Sequence, residues 1–148
     1  MHNPLHNETI EQSLAPQTIQ ASALNSGNID MQGYETLAVA IMVGNIADTL
    51  SGSVKVDIKI EHADDNGSGA PGTYSVCVDD DVLNYSGLVS GTFLTLDSNT
   101  KKSKRYVIGY RGGKRFVKVT ATPASLATGG PIAMLALKGQ PAQKPVLN

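Results

Sequence analysis

The sequence predicts an all-β protein: an antiparallel β-sandwich or flattened barrel of about seven or eight strands with an extended amino-terminal arm. Three observations predict it. Short runs rich in Val, Ile, Thr and Tyr recur between Gly-, Pro-, Asn- and Asp-bearing turn signals along the 148 residues. Val54, Val56, Ile58 and Ile60 alternate with Lys55, Asp57, Lys59 and Glu61, the pattern of a strand with one face on a core and one in water. No long helix is suggested anywhere by the spacing of apolar residues.

Taken in order, residues 1–28 are polar and turn-rich, with apolar points at Leu5, Ile10, Leu14, Ile19 and Leu24, and Pro16 ends any helix near it. Such regular apolar points are unusual for a solvated tail, so the segment reads as an arm that docks on a neighbouring subunit through Leu5, Ile10, Leu14 and Ile19; the alternative is a floppy terminus. Residues 33–44 read as a buried strand closed by Gly33 and Gly44, with Val39, Ile41 and Val43 alternating. The half-solvated strand at 54–61 follows, and then Asp64–Gly72 is a loop by composition. Tyr74–Val78 and Gly91–Leu96 are further strands, the first ending at Asp79–Asp81.

Tyr106–Val119 reads as a β-hairpin turning at Gly112 and Gly113, which sets Arg111 opposite Lys114, Tyr110 opposite Arg115, and Gly109 opposite Phe116. Phe116 would cover Gly109, and Arg115 would lie over the Tyr110 ring. Thr122–Pro131 reads as a second long loop, Ile132–Leu137 as a final strand, and the end of the chain as a proline-spaced tail. The division is therefore an arm at 1–28, a sandwich domain at 29–139 and a tail at 140–148.

The length suits one domain with a real core. Charged residues make up 17 % and the net charge is −1, so the chain as a whole is no polyanion binder. The distribution is uneven. Lys101, Lys102, Lys104, Arg105, Arg111, Lys114, Arg115 and Lys118 fall in one stretch without an acid, whereas Asp57, Glu61, Asp64, Asp65, Asp79, Asp80, Asp81 and Asp97 precede it. That asymmetry suits head-to-tail contact between copies or a partner of one sign. Cys77 stands alone, so neither an intramolecular disulfide nor a cysteine-based zinc site is expected. The first residues lack the features of a signal peptide, and the run Leu37–Val43 is far short of the ~20 apolar residues that span a bilayer, so no membrane role is expected.

Candidate chemistry is sparse. A hydrolytic triad would need His62 to meet a nucleophile and an orienting acid, but Asp64 and Asp65 are too close in sequence and no Ser sits in a nucleophile elbow. Asp64–Gly67 and Asp79–Asp81 are oxygen clusters of the calcium-binding kind, yet Asx-type turns explain both. Cys77 reads as a small buried hydrophobe. No catalytic residue, cofactor or metal ligand is assigned. Like charges at Arg111, Lys114 and Arg115 destabilise a hairpin tip unless an anion is near. With the aromatic residues taken by the fold, direct nucleic-acid binding is disfavoured and a protein contact through these three is expected.

Gly33-Tyr34-Glu35-Thr36-Leu37, Val43-Gly44, Asp48-Thr49-Leu50-Ser51 and Ile60-Glu61-His62-Ala63-Asp64-Asp65 together resemble segments of small structural proteins of tailed bacteriophages and gene-transfer particles. Tyr106–Tyr110, Lys114–Lys118 and Gly130–Gly139 extend the resemblance, which covers about residues 17–146. It implies a non-enzymatic virion component encoded near the major capsid protein, and within that group a decoration (cement) protein. Such a protein would sit on the capsid exterior, bind the major capsid protein and form a homotrimer. The alternatives it leaves are a head–tail connector, a tail or head-fibre component, or a host-surface carbohydrate-binding module.

Overall fold

The computed structural model describes residues 8–141. Its strands are β1 (Glu8–Ile19), β2 (Leu24–Asn25), β3 (Ile29–Asp30), β4 (Tyr34–Val43), β5 (Lys55–Ala63), β6 (Ser75–Val76), β7 (Val82–Leu83), β8 (Thr92–Leu96), β9 (Lys104–Tyr110), β10 (Phe116–Ala124) and β11 (Gly130–Pro141). One sheet runs β1-β11-β4-β9-β7, and the other runs β2-β10-β5-β6, with β3 also on β10 and β8 also on β5. The pairings are antiparallel, and the two sheets enclose one apolar core in a sandwich-like arrangement. Among the described residues no helix is long and apolar enough to cross a membrane.

Alternation builds the walls. Val56, Ile58 and Ile60 of β5 are fully buried, as are Val39 and Ile41 of β4 in the facing sheet. On β5 the outward Lys55 and Asp57 pair at 2.9 Å and Lys59 and Glu61 at 3.0 Å, so this face stays wet while its reverse is dry.

Two expectations meet a different arrangement. Tyr106–Val119 is not a hairpin: β9 pairs with β4 and β7 in one sheet, while β10 pairs with β5, β2 and β3 in the other. Both edges of each strand are occupied elsewhere, so Ile108 and Val117 reach the core from opposite walls and both are fully buried. Gly113, at φ +74°, supplies the left-handed residue of this sheet-to-sheet crossing, a conformation glycine adopts without steric cost. Gly109 is covered by Leu83, whose Cβ would lie 2.9 Å from an added methyl, and not by Phe116.

The amino-terminal segment differs as well. Residues 8–19 form an edge strand on β11, from Glu8 opposite Gly139 to Ile19 opposite Gly130. Its register shifts between Gln12 and Leu14 and again between Leu14 and Gln17. The second shift spans Pro16, which has no N–H to give a ladder. β11 in turn continues to Pro141, past the expected start of the tail, and β10 continues to Ala124, which shortens the loop before β11.

Candidate functional site

The basic tip is satisfied within the chain. Arg115 donates from Nε to Asp30 Oδ1 at 3.0 Å and from an Nη to Asp30 Oδ2 at 2.9 Å, and its other Nη meets Asp65. The hydrogen bond from Arg115 holds the Asp30 carboxyl below its ordinary value. Lys114 Nζ lies 3.4 Å from Asp64 and 3.2 Å from Ser75 Oγ, and Arg111 Nε donates to the Asp80 carbonyl at 2.7 Å. Arg115 stacks over Phe116, 4.9 Å from its centroid, and not over Tyr110. The acidic stretch and the basic stretch are thus brought together by the β9–β10 crossing. A cleft lined by Tyr34, Glu35, Tyr110 and these three cations lies beside it, with the Arg115 guanidinium already engaged by two carboxylates.

The four apolar points of the amino-terminal segment have different places. Leu5 lies outside the described residues. Leu14 and Ile19 are 6 % and 1 % exposed and belong to the core of their own chain, because the first register shift in β1 turns Leu14 inward and the second returns Ile19 to the inward side. Ile10 alone points outward, 61 % exposed.

Ile10 opens onto the feature that separates the two outer faces of the molecule. Across the first sheet the register sets Ile10 beside Leu137, Leu137 beside Ala38, Ala38 beside Gly109 and Gly109 beside Leu83. The next row is Gln12, Leu135, Ala40 and Val107, and the next Ala133, Met42 and Arg105. Ile10, Met42, Leu83 and Val107 are exposed large hydrophobics, and two shallow depressions interrupt this face. One is lined by Ala38, Leu83, Val107 and Leu137, the other by Pro16, Met42, Pro131 and Ala133. The outer face of the second sheet is mostly charged and hydroxylated, with Val76 of β6 exposed beside Glu61. There Glu61 stands opposite Lys118, Lys59 opposite Thr120 and Thr92, and Asp57 opposite Thr122 and Thr95. Of the first sheet's rows, the first is apolar through all five strands, the second through three beyond Gln12, and the third through two before Arg105, whereas the other sheet carries charges in every row.

The acidic loops hold themselves in shape. Asp65 accepts from Gly67 N at 2.7 Å and Gly69 N at 3.0 Å, and Asp79 accepts from Gly87 N at 2.7 Å and Leu88 N at 2.8 Å. These bonds lower both carboxyl pKa values, with Arg115 adding to the effect on Asp65.

A cluster that sequence reading missed lies behind the acidic loops. His62 near the end of β5, Cys77 just after β6 and Asp81 in the 3-10 turn Asp79–Asp81 bring one ligand atom each to within 4.8 Å of one another. His62 is 6 % exposed and Cys77 1 %. His62 Nδ1 is 2.9 Å from the Tyr110 hydroxyl, which also accepts the Lys114 N–H at 3.0 Å, and Nε2 faces Asp81 at 4.0 Å. Burial pushes the His62 imidazole down and the Cys77 thiol up to about 12, so both are neutral in this environment. Gly112 closes over the cluster, where an added Cβ would lie 2.7 Å from Asp81 Oδ1. Nothing local in the sequence ties His62 and Cys77 to Asp81.

Neither a family model nor a curated protein matches the chain. Solved structures with similarity include the SPBc2 prophage-derived protein YomS, at 16 % identity and TM-score 0.49, with 89 % of this chain and 92 % of that chain covered. A Bacillus endospore appendage structure, described as a novel family of disulfide-linked pili, aligns at 12 % identity and TM-score 0.40 over 90 % of this chain and 88 % of that one. The infectious bursal disease virus VP2 subviral particle aligns at 12 % identity and TM-score 0.26, over 95 % of this chain and 41 % of that chain.

Proposed function

We propose that the protein is a non-enzymatic structural component of a phage-type particle, a decoration protein on the capsid exterior. In this reading it docks on the major capsid protein through the outer face of the β1-β11-β4-β9-β7 sheet and assembles as a homotrimer. The single observation that carries the reading is the contrast between the two outer faces, one apolar over Ile10, Leu137, Ala38, Leu83 and the adjoining Leu135, Ala40, Val107 and Met42, the other lined with paired charges. Removing apolar surface from water contributes roughly 25 cal/mol per Å², so a partner gains more by covering the first face than the second. The resemblance of residues 17–146 to tailed-phage structural proteins is what favours the major capsid protein as the partner. Repetition over a symmetric shell then multiplies modest contacts into firm retention.

The test is to strip the protein from its particles, measure their resistance to heat, and add it back. Lower resistance on stripping and recovery on addition are expected, with a copy number comparable to that of the capsid subunit. Unchanged resistance would remove the stabilising role. A copy number matching a single ring would reassign the protein to a connector or tail position.

A further inference from the structure

Three polar side chains that the assembly reading leaves unused meet in one buried place, and their chemistry is that of a metal site. We propose that His62 Nε2, Cys77 Sγ and an Asp81 carboxylate oxygen form a binding site for one zinc-class divalent cation. The geometry suits the ion. The three donor atoms already lie within 4.8 Å of one another, and tetrahedral bonds of ~2.0–2.3 Å bring donors to within roughly 3.3–3.8 Å. The donors draw together by roughly 1–1.5 Å to reach this, while Asp81 Oδ2 accepts the Val78 N–H at 2.9 Å. A sulfur, nitrogen and oxygen set favours zinc over magnesium or calcium, which prefer all-oxygen shells.

Charge and hydrogen bonding agree with this assignment. A thiolate, a carboxylate and a neutral imidazole cancel a divalent charge, so the loaded site buries no net charge. Coordination replaces the S–H proton, which leaves to solvent, with an S–metal bond. Metal at Nε2 puts the ring proton on Nδ1, which is 2.9 Å from the Tyr110 oxygen. Such a partner on the other ring nitrogen is what fixes a ligating histidine. Lys114 is the cation whose field opposes the ion, and Asp64 at 3.4 Å partly neutralises it. One cysteine excluded a multi-cysteine site; it does not exclude a mixed one.

Titration of the metal-free full chain with Zn²⁺ by calorimetry, and with Co²⁺ by absorption, tests the proposal. The expected result is one ion per chain, proton release into the buffer, and a cobalt–thiolate charge-transfer band. Affinity should fall at least about tenfold in Cys77→Ser and in Asp81→Asn, the second being the less buried position should the first fail to fold. A His2→Asn, His6→Asn double variant, altered at the other two histidines, should bind as the parent does. Absence of binding, binding without the thiolate band, or binding unchanged in Asp81→Asn and lost in the double variant would each overturn the site.

Discussion

Asp48 Oδ1 accepts the Ala127 N–H at 2.6 Å, and Oδ2 accepts the Gly129 N–H at 2.6 Å and the Thr128 N–H at 3.1 Å. One carboxylate thus ties the loop after β4 to the turn that launches β11, where Gly129 at φ +77° passes against the Ile19 carbonyl. The three backbone N–H groups, Gly129 foremost, hold the Asp48 carboxyl below its ordinary value of 3.8. A depressed folded pKa means that the carboxylate's contribution is fully present above the unfolded value and is lost as the pH falls through the folded one. Asp48→Asn, which points an amide at the N–H donors, should therefore be less stable than the parent at neutral pH. That difference should shrink below about pH 4. Denaturant midpoints of both proteins across this range provide the check, and a gap that persists or widens in acid would contradict it.

At the scale of elements, β1 decides what the amino terminus is for. A docking arm is removable without harm to its own domain, whereas β1 places Leu14 and Ile19 in the core and covers the edge of β11 over nearly its whole length. Deleting residues 1–19 should therefore destabilise the domain by at least about 4 kcal/mol, since loss of a single buried Leu or Ile side chain typically costs 2–5 kcal/mol. The exposed β11 edge should also promote aggregation. Urea midpoints and light scattering measure both effects, and a truncated chain as stable as the parent would restore the arm. Strands β4 and β5 were legible because their alternation is local and unbroken. β1 was not, because its two register shifts replace alternation with apolar points several residues apart, which imitate a tail. The hairpin at Gly112 and Gly113 failed for another reason. Gly113 does take a left-handed φ, but strand partners were set by residues far away, with Ala40 taking Val107 and Ile60 taking Val119. The same distance hid the cluster of His62, Cys77 and Asp81, which only the packing of β6 and its following turn against β5 brings together.

The molecule as a whole has a wet side and an apolar side, and the amino-acid pattern accounts for both. β5 and β10 alternate core residues with Lys, Glu, Asp and Thr, while β4 and β11 alternate core residues with Ala, Met and Leu. A small outward side chain such as Ala38 or Ala40 adds little to folding, yet it leaves a smooth sheet that another protein can approach closely. The basic tip, by contrast, is held by the chain's own acids, so charge reversal there should act first on the domain's own loops. The two sites therefore separate in experiment. Met42→Glu and Val107→Glu place carboxylates on the outward rows of β4 and β9, where both side chains are already more than a third exposed. Each should change the thermal midpoint little, because surface substitutions stay within about 0.5 kcal/mol. Burying an unpaired carboxylate at a contact is far more costly, so retention on particles should fall by about tenfold or more for each variant. Circular dichroism and a particle co-sedimentation assay read the two effects independently. Variants that fold normally and still sediment with particles as the parent does would move the contact off this sheet.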